Sequence, residues 1–207
     1  MMPKILKTLV IVTLGLGLFA CAGTSPPTRY YLLNPIPWSP ANPSDTDPET
    51  PLSLGVGPVT LPSYLDRPQI VVRKDANTLK LADFDRWGES LQPMFVRVLR
   101  ENLMALLPAA DVVVFPWPSG ADFEYQVTAE VRRFDAEGSQ NAVLAVRWSI
   151  LRFEDRHRLH QQDSIYSQLI GSPDYSELVQ ALNRLVEDFS RDVARAVEEA
   201  YRRDHGR

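Results

Sequence analysis

Apolar and polar residues alternate almost perfectly from Phe123 to Val131, and this pattern restricts the fold more than any other feature of the chain. The odd-numbered positions of this stretch are apolar and the even-numbered positions are polar. Successive side chains of a strand point to opposite faces, so one face packs on a core and the other meets water. The alternation therefore predicts an antiparallel sheet that is covered on one side only.

Two long segments carry apolar residues at helical spacing. The first covers 90–107, with Pro93 in its first turn, and the second opens at Ser172, the predicted N-cap, and runs to about Arg203. Each has a single apolar stripe, which is typical of a helix with one buried face. Together with a sheet covered on one side, they predict a single α+β domain in which both helices pack on one face of a mostly antiparallel sheet.

The other predicted strands are separated by turn residues, and the one at 141–153 is long. They cover 29–33, 52–59, 69–73, 78–81, 111–115, 141–153 and 159–169. Gly55 and Gly57 within one of them indicate a close backbone approach or a bulge. Six of the seventeen residues in 35–51 are proline, which predicts an exposed, semi-extended segment. Disorder and a proline-motif docking site remain the two interpretations of that segment.

Cys21 is the only cysteine, and it stands where an apolar leader ends. Lys4 and Lys7 precede an uncharged run of thirteen residues, which is too short to cross a bilayer because a spanning helix needs about 20 residues. Residues 1–20 are therefore predicted to be a signal peptide, and they resemble a bacterial lipoprotein signal. Phe19 departs from the small or β-branched residue usual at its position. An uncleaved anchor and an ordinary signal peptide are the alternatives.

Lipidation of Cys21 would divide the chain into 1–20 as signal, 21–28 as a lipidated N-terminus and tether, and 29–207 as the folded domain. Acyl chains such as palmitate would hold the protein to a membrane, because each buried methylene contributes about 0.8 kcal/mol. Ala22, where aspartate is associated with retention in the inner membrane, points to the periplasmic face of the outer membrane.

The composition argues against nucleic acid, metal and catalytic sites. Without the leader the chain has 20 basic and 26 acidic residues and no basic cluster, so we expect no nucleic acid partner. His157 and His160 lie in a bend near Asp155, but flanking arginines would repel a divalent cation. No catalytic motif is present, so we expect neither cofactor nor enzyme activity. An envelope-lipid hydrolase that uses these histidines is the alternative.

One stretch is long and specific, and it supports a family resemblance. It reads Leu61-Pro62-Ser63-Tyr64-Leu65-Asp66-Arg67-Pro68-Gln69-Ile70, and it is accompanied by Arg86-Trp87, Glu101-Asn102-Leu103 and Pro116-Trp117. With these residues the chain resembles, over nearly its whole length, the ABC-type transport auxiliary lipoproteins of the paraquat-inducible protein C type.

The resemblance implies a non-catalytic outer-membrane lipoprotein of an MCE-type (mammalian cell entry) intermembrane lipid transport system. Such a subunit would dock the periplasm-spanning MCE protein and support envelope integrity, and the resemblance also suggests a homo-oligomeric ring. The alternative is a lipoprotein accessory of another envelope machine, such as outer-membrane assembly or cell-wall synthase activation.

The residues that we predict to contact the partner lie in the specific stretch: Pro62, Tyr64, Leu65, Asp66 and Arg67. Prolines at both ends of this loop reduce the entropy lost on docking, and tyrosine and arginine are enriched at binding hot spots. In the alternative interpretation, Tyr64 and Leu65 fold back on the sheet edge while Asp66 and Arg67 pair with each other. Trp87 and Trp117 are expected to cover the ends of the core.

Overall fold

A computed structural model describes residues 25–37, 52–107, 110–138 and 140–206. The predicted signal peptide, Cys21 and most of the proline-rich segment lie outside these ranges. The elements in chain order are β1 (Arg29–Tyr31), β2 (Ser53–Thr60), β3 (Gln69–Arg73), β4 (Leu79–Trp87), α1 (Leu91–Leu106), β5 (Asp111–Val114), β6 (Tyr125–Glu137), β7 (Asn141–Arg152), β8 (Arg158–Leu169) and α2 (Tyr175–Asp204). They confirm the single α+β domain.

The described strands form one mixed sheet around β6. One edge of β6 pairs with β7, and the other edge pairs first with β2 and then with β3. The two longest ladders, β6 with β7 and β7 with β8, are antiparallel, as the alternating pattern predicts. Four shorter ladders are parallel: β1 with β4, β2 with β5, β2 with β6 and β3 with β6.

Both helices pack on the same face of this sheet, as predicted. Phe95 of α1 meets Phe134 of β6 edge to face, with ring centroids 5.4 Å apart. Phe189 of α2 lies 6.0 Å from Trp148 of β7 and 6.4 Å from Phe95. All four rings are at most 2 % exposed, and burying a side chain of this size contributes about 1.5–3 kcal/mol. The opposite face of the sheet carries no helix in the described part of the chain.

The helix boundaries follow the predicted ones, but the predicted cap of α2 is wrong. Asp174, and not Ser172, caps this helix, and its carboxylate accepts a hydrogen bond from the backbone amide of Ser176 at 3.1 Å. A carboxylate satisfies an unpaired amide at this end and also interacts favourably with the helix dipole.

Within the described ranges, no helix combines the length and apolar character needed to cross a membrane.

β6 runs well beyond the predicted end at Val131. Its register against β7 shifts between Val131 and Arg133, which is a bulge that inserts one extra residue. After the bulge the even-numbered Phe134 and Ala136 point to the core. The strict alternation is lost at this point because the bulge changes which positions face the helices.

The segment that follows β1 lies between the two helices. The Leu33 side chain is fully buried, and the amide of Asn34 donates to Oδ1 of Asn183 on α2 at 3.1 Å. The amide of Ile36 donates to Oδ1 of Asn102 on α1 at 2.8 Å. Because acceptors from both helices hold this backbone, the N-terminal segment is an integral part of the domain.

Candidate partner-binding site

The segment 61–68, which we call the connecting segment, joins two strands that lie on the same edge of β6. β2 pairs with β6 up to Glu130, and β3 pairs with it again from Ala136 onward. The connecting segment therefore passes beside the part of β6 that contains the bulge. The sequence stretch that carries the family resemblance occupies this gap between two strands.

A buried carboxylate fixes the connecting segment in this gap. The Asp135 side chain of β6 has no exposed surface, and its Oδ2 accepts a hydrogen bond from the Tyr64 hydroxyl at 2.7 Å. Arg73 and Arg133 donate to the two oxygens of the same carboxylate at 3.3 and 2.9 Å. The Arg73 guanidinium also lies over the Tyr64 ring, 5.6 Å from its centroid. Two cations and one hydroxyl thus compensate the buried charge.

This environment also changes the pKa of the Tyr64 hydroxyl. Burial, with the hydrogen bond to Asp135 as the second cause, raises the pKa of Tyr64 to about 12. Its hydroxyl therefore stays protonated and donates across the neutral pH range.

Short backbone hydrogen bonds stiffen the connecting segment along its length. A single helical turn covers Ser63–Leu65, in which the Leu65 amide donates to the Pro62 carbonyl at 3.0 Å. The Leu65 side chain is 3 % exposed and joins the core. At the far end the Trp87 amide donates to the Pro68 carbonyl at 2.7 Å. A segment held at both ends and in its middle loses little conformational entropy on binding.

The predicted interface residues fall into two groups. Tyr64 and Leu65 point into the domain, in agreement with the alternative in which these two residues fold back on the sheet. Asp66 is exposed, and Pro62 and Arg67 are half-buried. Within the described residues no ion pair joins Asp66 to Arg67, and Nε of Arg67 is buried without a hydrogen-bond partner. Pro62 and Asp66 also line a cavity of about 190 Å³, so this side of the segment presents an accessible, uneven surface.

An aromatic cluster lies on the helix-free face at the opposite end of β2. Phe115, Trp117, Phe123 and Phe153 form a chain in which Trp117 and Phe123 are 4.7 Å apart and Phe123 and Phe153 are 4.0 Å apart. Trp87 is buried in the core, whereas Trp117 belongs to this cluster and is only half-buried.

The two glycines of β2 make room for the aromatic cluster. A Cβ atom at Gly55 would stand 2.6 Å from Cζ of Phe123, and one at Gly57 would stand 2.7 Å from Cβ of Phe115. The β2 register also shifts after Val56. The prediction of a close backbone approach or a bulge at these glycines is therefore confirmed on both counts.

A wide polar depression of about 1130 Å³ adjoins the aromatic cluster. At its edge Arg152 donates to Asp204 at 2.6 Å and to Asp155 at 3.1 Å. The hydrogen bond from Arg152 lowers the pKa of Asp204, which also accepts from the Tyr125 hydroxyl at 3.0 Å. These contacts tie the last residue of α2 to β6 and β7, so the pairing of this carboxylate is structural.

Each histidine has different surroundings. His160 stacks on Trp148 with centroids 4.6 Å apart, and His205 stacks on Tyr201 at 4.2 Å. His157 is exposed in the turn before β8. Among the residues that the structure describes, no three His, Cys, Asp or Glu side chains come together in a way that could hold a metal ion.

Sequence reasoning missed the residues that position the connecting segment. Asp135, Arg73 and Arg133 are ordinary charged residues in the sequence, and Asp135 lies 71 positions after Tyr64. The break in alternation after Val131 is the one signal that could have indicated a special structure near Asp135.

Comparison with known proteins gives a family and a fold. The family model described as ABC-type transport auxiliary lipoprotein component matches residues 31–194. The crystal structure of protein XCC0632 from Xanthomonas campestris, of family DUF330, is 16% identical, with a TM-score of 0.69 over 86% of this chain and 99% of that one. A crystal structure of an uncharacterized protein is 20% identical, with a TM-score of 0.68 over 83% and 99%. No curated protein sequence matches.

Proposed function

Because the chain belongs to the family of ABC-type transport auxiliary lipoprotein components, we propose that it is a non-catalytic, outer-membrane subunit of an MCE-type intermembrane lipid transport system. Its role in this proposal is to dock the periplasm-spanning MCE protein of the same system. Docking in turn supports the integrity of the envelope. This role requires a stable binding surface and an attachment to the membrane, and it does not require catalysis.

The connecting segment is the observation that carries the docking role. Its inner side is fixed by the hydrogen bond from Tyr64 to Asp135 at 2.7 Å, while Asp66 on its outer side is exposed. A prearranged backbone with exposed polar groups is suited to recognise a partner with little rearrangement. Arg67 is half-buried, and a guanidinium offers several donors of the kind that bind acceptors at protein interfaces. Pro62, Asp66 and Arg67 are thus the proposed contacts.

The attachment rests on Cys21, which we propose to be the lipidated N-terminus of the mature chain. The eight residue-to-residue steps from Cys21 to Arg29 extend by at most about 28 Å. Since Arg29 is fixed to the domain by an ion pair with Asp85 at 2.7 Å, this short tether would keep β1 close to the membrane surface. Ala22 after the cysteine supports the outer membrane as the destination.

Crosslinking in cells that make this chain tests the docking partner. A C-terminally tagged chain, crosslinked in intact cells and purified under denaturing conditions, should recover an MCE-domain protein as its main specific neighbour. Recovery of outer-membrane assembly or cell-wall synthase components in its place would support the alternative machine and contradict the proposal. A tagged, unrelated outer-membrane lipoprotein serves as the matched control for proximity at the membrane.

Substitution of Cys21 tests the attachment separately. Cys21→Ser should abolish incorporation of labelled palmitate and leave an uncleaved precursor outside the outer-membrane fraction. Ser25→Ala, in the same tether, is the control and should be processed normally. If Cys21→Ser were processed and sorted like the native chain, the lipoprotein part of the proposal would fail, whatever the crosslinking shows.

A further inference from the structure

A weakly polar stretch leads from Cys21 into the first strand of the domain. Residues 22–37 contain one charged side chain, that of Arg29. Its guanidinium donates to the carboxylate of Asp85 at 2.7 Å, so this charge already has its partner. The first described residue, Ser25, follows Cys21 by four residue-to-residue steps, which extend by at most about 14 Å. β1 is therefore the first element of the sheet after the predicted anchor.

Two apolar side chains of this stretch point away from the core. Tyr30 is 66% exposed and Leu32 is 43% exposed. Tyr31, which lies between them, packs against the core with its register partner Trp87, and Leu33 is fully buried. Because successive side chains of a strand point to opposite faces, Tyr30 and Leu32 lie together on the outward, helix-free side of β1.

β1 also lies at an outer edge of the sheet, where within the described residues it pairs only with β4. Arg86 is the register partner of Tyr30, so its half-buried side chain lies on the same side. An aromatic ring, an aliphatic side chain and a guanidinium thus share one side of this edge. Tyrosine prefers the boundary between hydrocarbon and water, and a guanidinium binds phosphate oxygens. This combination suits the surface of a lipid bilayer.

We propose that the β1 edge of the domain rests on the lipid surface, with Tyr30 and Leu32 inserted among the headgroups. The inference rests on the proposed lipidation of Cys21, which fixes the start of the tether in the membrane. Pro26 and Pro27 stiffen the tether because each fixes its backbone φ angle. The domain then has a defined orientation, with β1 at the membrane and β8 five strand spacings away in the sheet, which is about 24 Å.

The size and position of this surface favour a lipid surface over a protein partner. β1 is three residues long, and its outward side offers two exposed apolar side chains, whereas a stable protein interface buries about 800 Å² on each partner. A contact with the membrane needs much less area, because the acyl chains already hold the domain there. The short tether also leaves little room for a protein between the β1 edge and the membrane.

A fluorescent probe on one introduced cysteine tests this contact in the full-length, lipidated chain. The sulfur of a lipidated Cys21 is a thioether and does not react, so the probe reports only the new position. Leu32→Cys, labelled and reconstituted into vesicles of phosphatidylethanolamine and phosphatidylglycerol, should lose most of its fluorescence when lipids with a headgroup nitroxide are included. Ile165→Cys is the matched control, because Ile165 is 78% exposed on β8 at the far edge of the sheet. Its probe should keep its fluorescence.

A second pair of variants tests whether Tyr30 takes part in the contact. In the Leu32→Cys background, Tyr30→Asp places a charge at the lipid surface and should remove most of the quenching by the nitroxide. Ile165→Asp, in the same background, is the control and should leave the quenching unchanged. Both positions are exposed, so both variants should keep the melting temperature of the native chain.

The proposal is overturned by a probe at Leu32 that the lipid nitroxide quenches no more than the probe at Ile165. It is also overturned if the probe at Leu32 is shielded from water but not quenched by lipid, because a protein would then cover the edge. Mass spectrometry that finds Cys21 unmodified would overturn the attachment and this inference together. An unquenched probe at Leu32 on a lipidated chain that still captures the MCE protein would overturn this inference alone.

Discussion

The hydroxyl of Tyr64 donates a 2.7 Å hydrogen bond to Oδ2 of Asp135, across 71 positions of the chain. This bond joins the connecting segment to the strand beside which β2 ends and β3 begins. The side chain of Asp135 is completely buried, and its three donors come from the connecting segment, from β3 and from β6 itself. One carboxylate therefore fixes the position of the surface that we propose for partner docking.

Tyr64→Phe should lower the free energy of unfolding by about 1–3 kcal/mol, because it removes one donor from a buried carboxylate and keeps the ring. Chemical denaturation followed by circular dichroism measures this difference. Tyr30→Phe is the control, since Tyr30 is 66% exposed and should be neutral. Equal stability of Tyr64→Phe and the native chain would show that the two arginines alone satisfy Asp135.

The fold should lose stability in alkaline solution. Burial, together with hydrogen bonds to Asp85 and Asp135 respectively, raises the pKa of Tyr31 and of Tyr64 from 10.0 to about 12. Their protonated forms are favoured in the folded state, so their stabilising contribution is complete below a pH of about 10 and is lost between about 10 and 12.

Thermal melting measured at intervals from a pH of about 9 to about 12 checks this expectation. A Tyr31→Phe/Tyr64→Phe double variant should start less stable and should lose less of its remaining stability over the same interval. If the native chain and the double variant declined in parallel, other groups would control the alkaline transition.

The layers of the domain could be predicted from the sequence because their signals are local. The alternation from Tyr125 to Val131 and the two apolar stripes report which side chains face the helices. The predicted alternation was wrong at two positions: Phe123 precedes β6 and joins the aromatic cluster on the helix-free face, and Gln126 is buried although it is polar. The order of the strands could not be read in this way. β2 and β3 pair with the same edge of β6, and no local sequence pattern indicates these long-range pairings. The bulge before Arg133 interrupts the alternation, so the second half of β6 could not be recognised as part of the strand.

At the candidate site, too, the sequence alone could not decide which way the side chains point. The sequence identified the stretch around Tyr64 as special, and two of its five predicted contacts, Tyr64 and Leu65, are directed into the domain. Tyrosine suits a binding hot spot and an internal hydrogen bond equally well. The choice between these roles depends on the position of Asp135, which only the fold defines.

Gly55→Ala should destabilise the domain by about 1–3 kcal/mol, because the added Cβ would stand 2.6 Å from Cζ of Phe123 in a packed aromatic cluster. Gly88→Ala is a milder control, since its nearest neighbour is the flexible end of Leu32 at 3.2 Å. Combining Gly55→Ala with Phe123→Leu should cost less than the sum of the two single changes. Strict additivity in equilibrium unfolding would exclude the steric explanation.

Asn102→Ala should release the N-terminal segment from the groove between the helices. It removes the acceptor of the Ile36 amide at 2.8 Å and the donor to Ser190 at 3.0 Å, and Asn102 is 1% exposed. We expect a loss of about 1–3 kcal/mol and faster limited proteolysis between Leu32 and Pro37. Asn77→Ala, in an exposed turn, is the control. Unchanged proteolysis would mean that Leu33 and Asn34 hold the segment without Asn102.

Reversal of charge on the outer side of the connecting segment should weaken capture of the MCE protein without unfolding the domain. Arg67→Glu and Asp66→Lys each place the wrong charge at the proposed contact, and we expect about a tenfold loss of recovered partner in crosslinked cells. Arg202→Glu, an exposed change of the same kind on α2, should recover the native amount.

Melting temperatures separate a lost contact from a damaged fold, because Nε of Arg67 is buried while Asp66 is exposed. If Arg67→Glu alone lowered both the melting temperature and the capture of partner, its effect would be structural. If Asp66→Lys and Arg67→Glu both captured the native amount of partner, the docking surface would lie elsewhere on the domain, and the connecting segment would serve only to join β2 to β3.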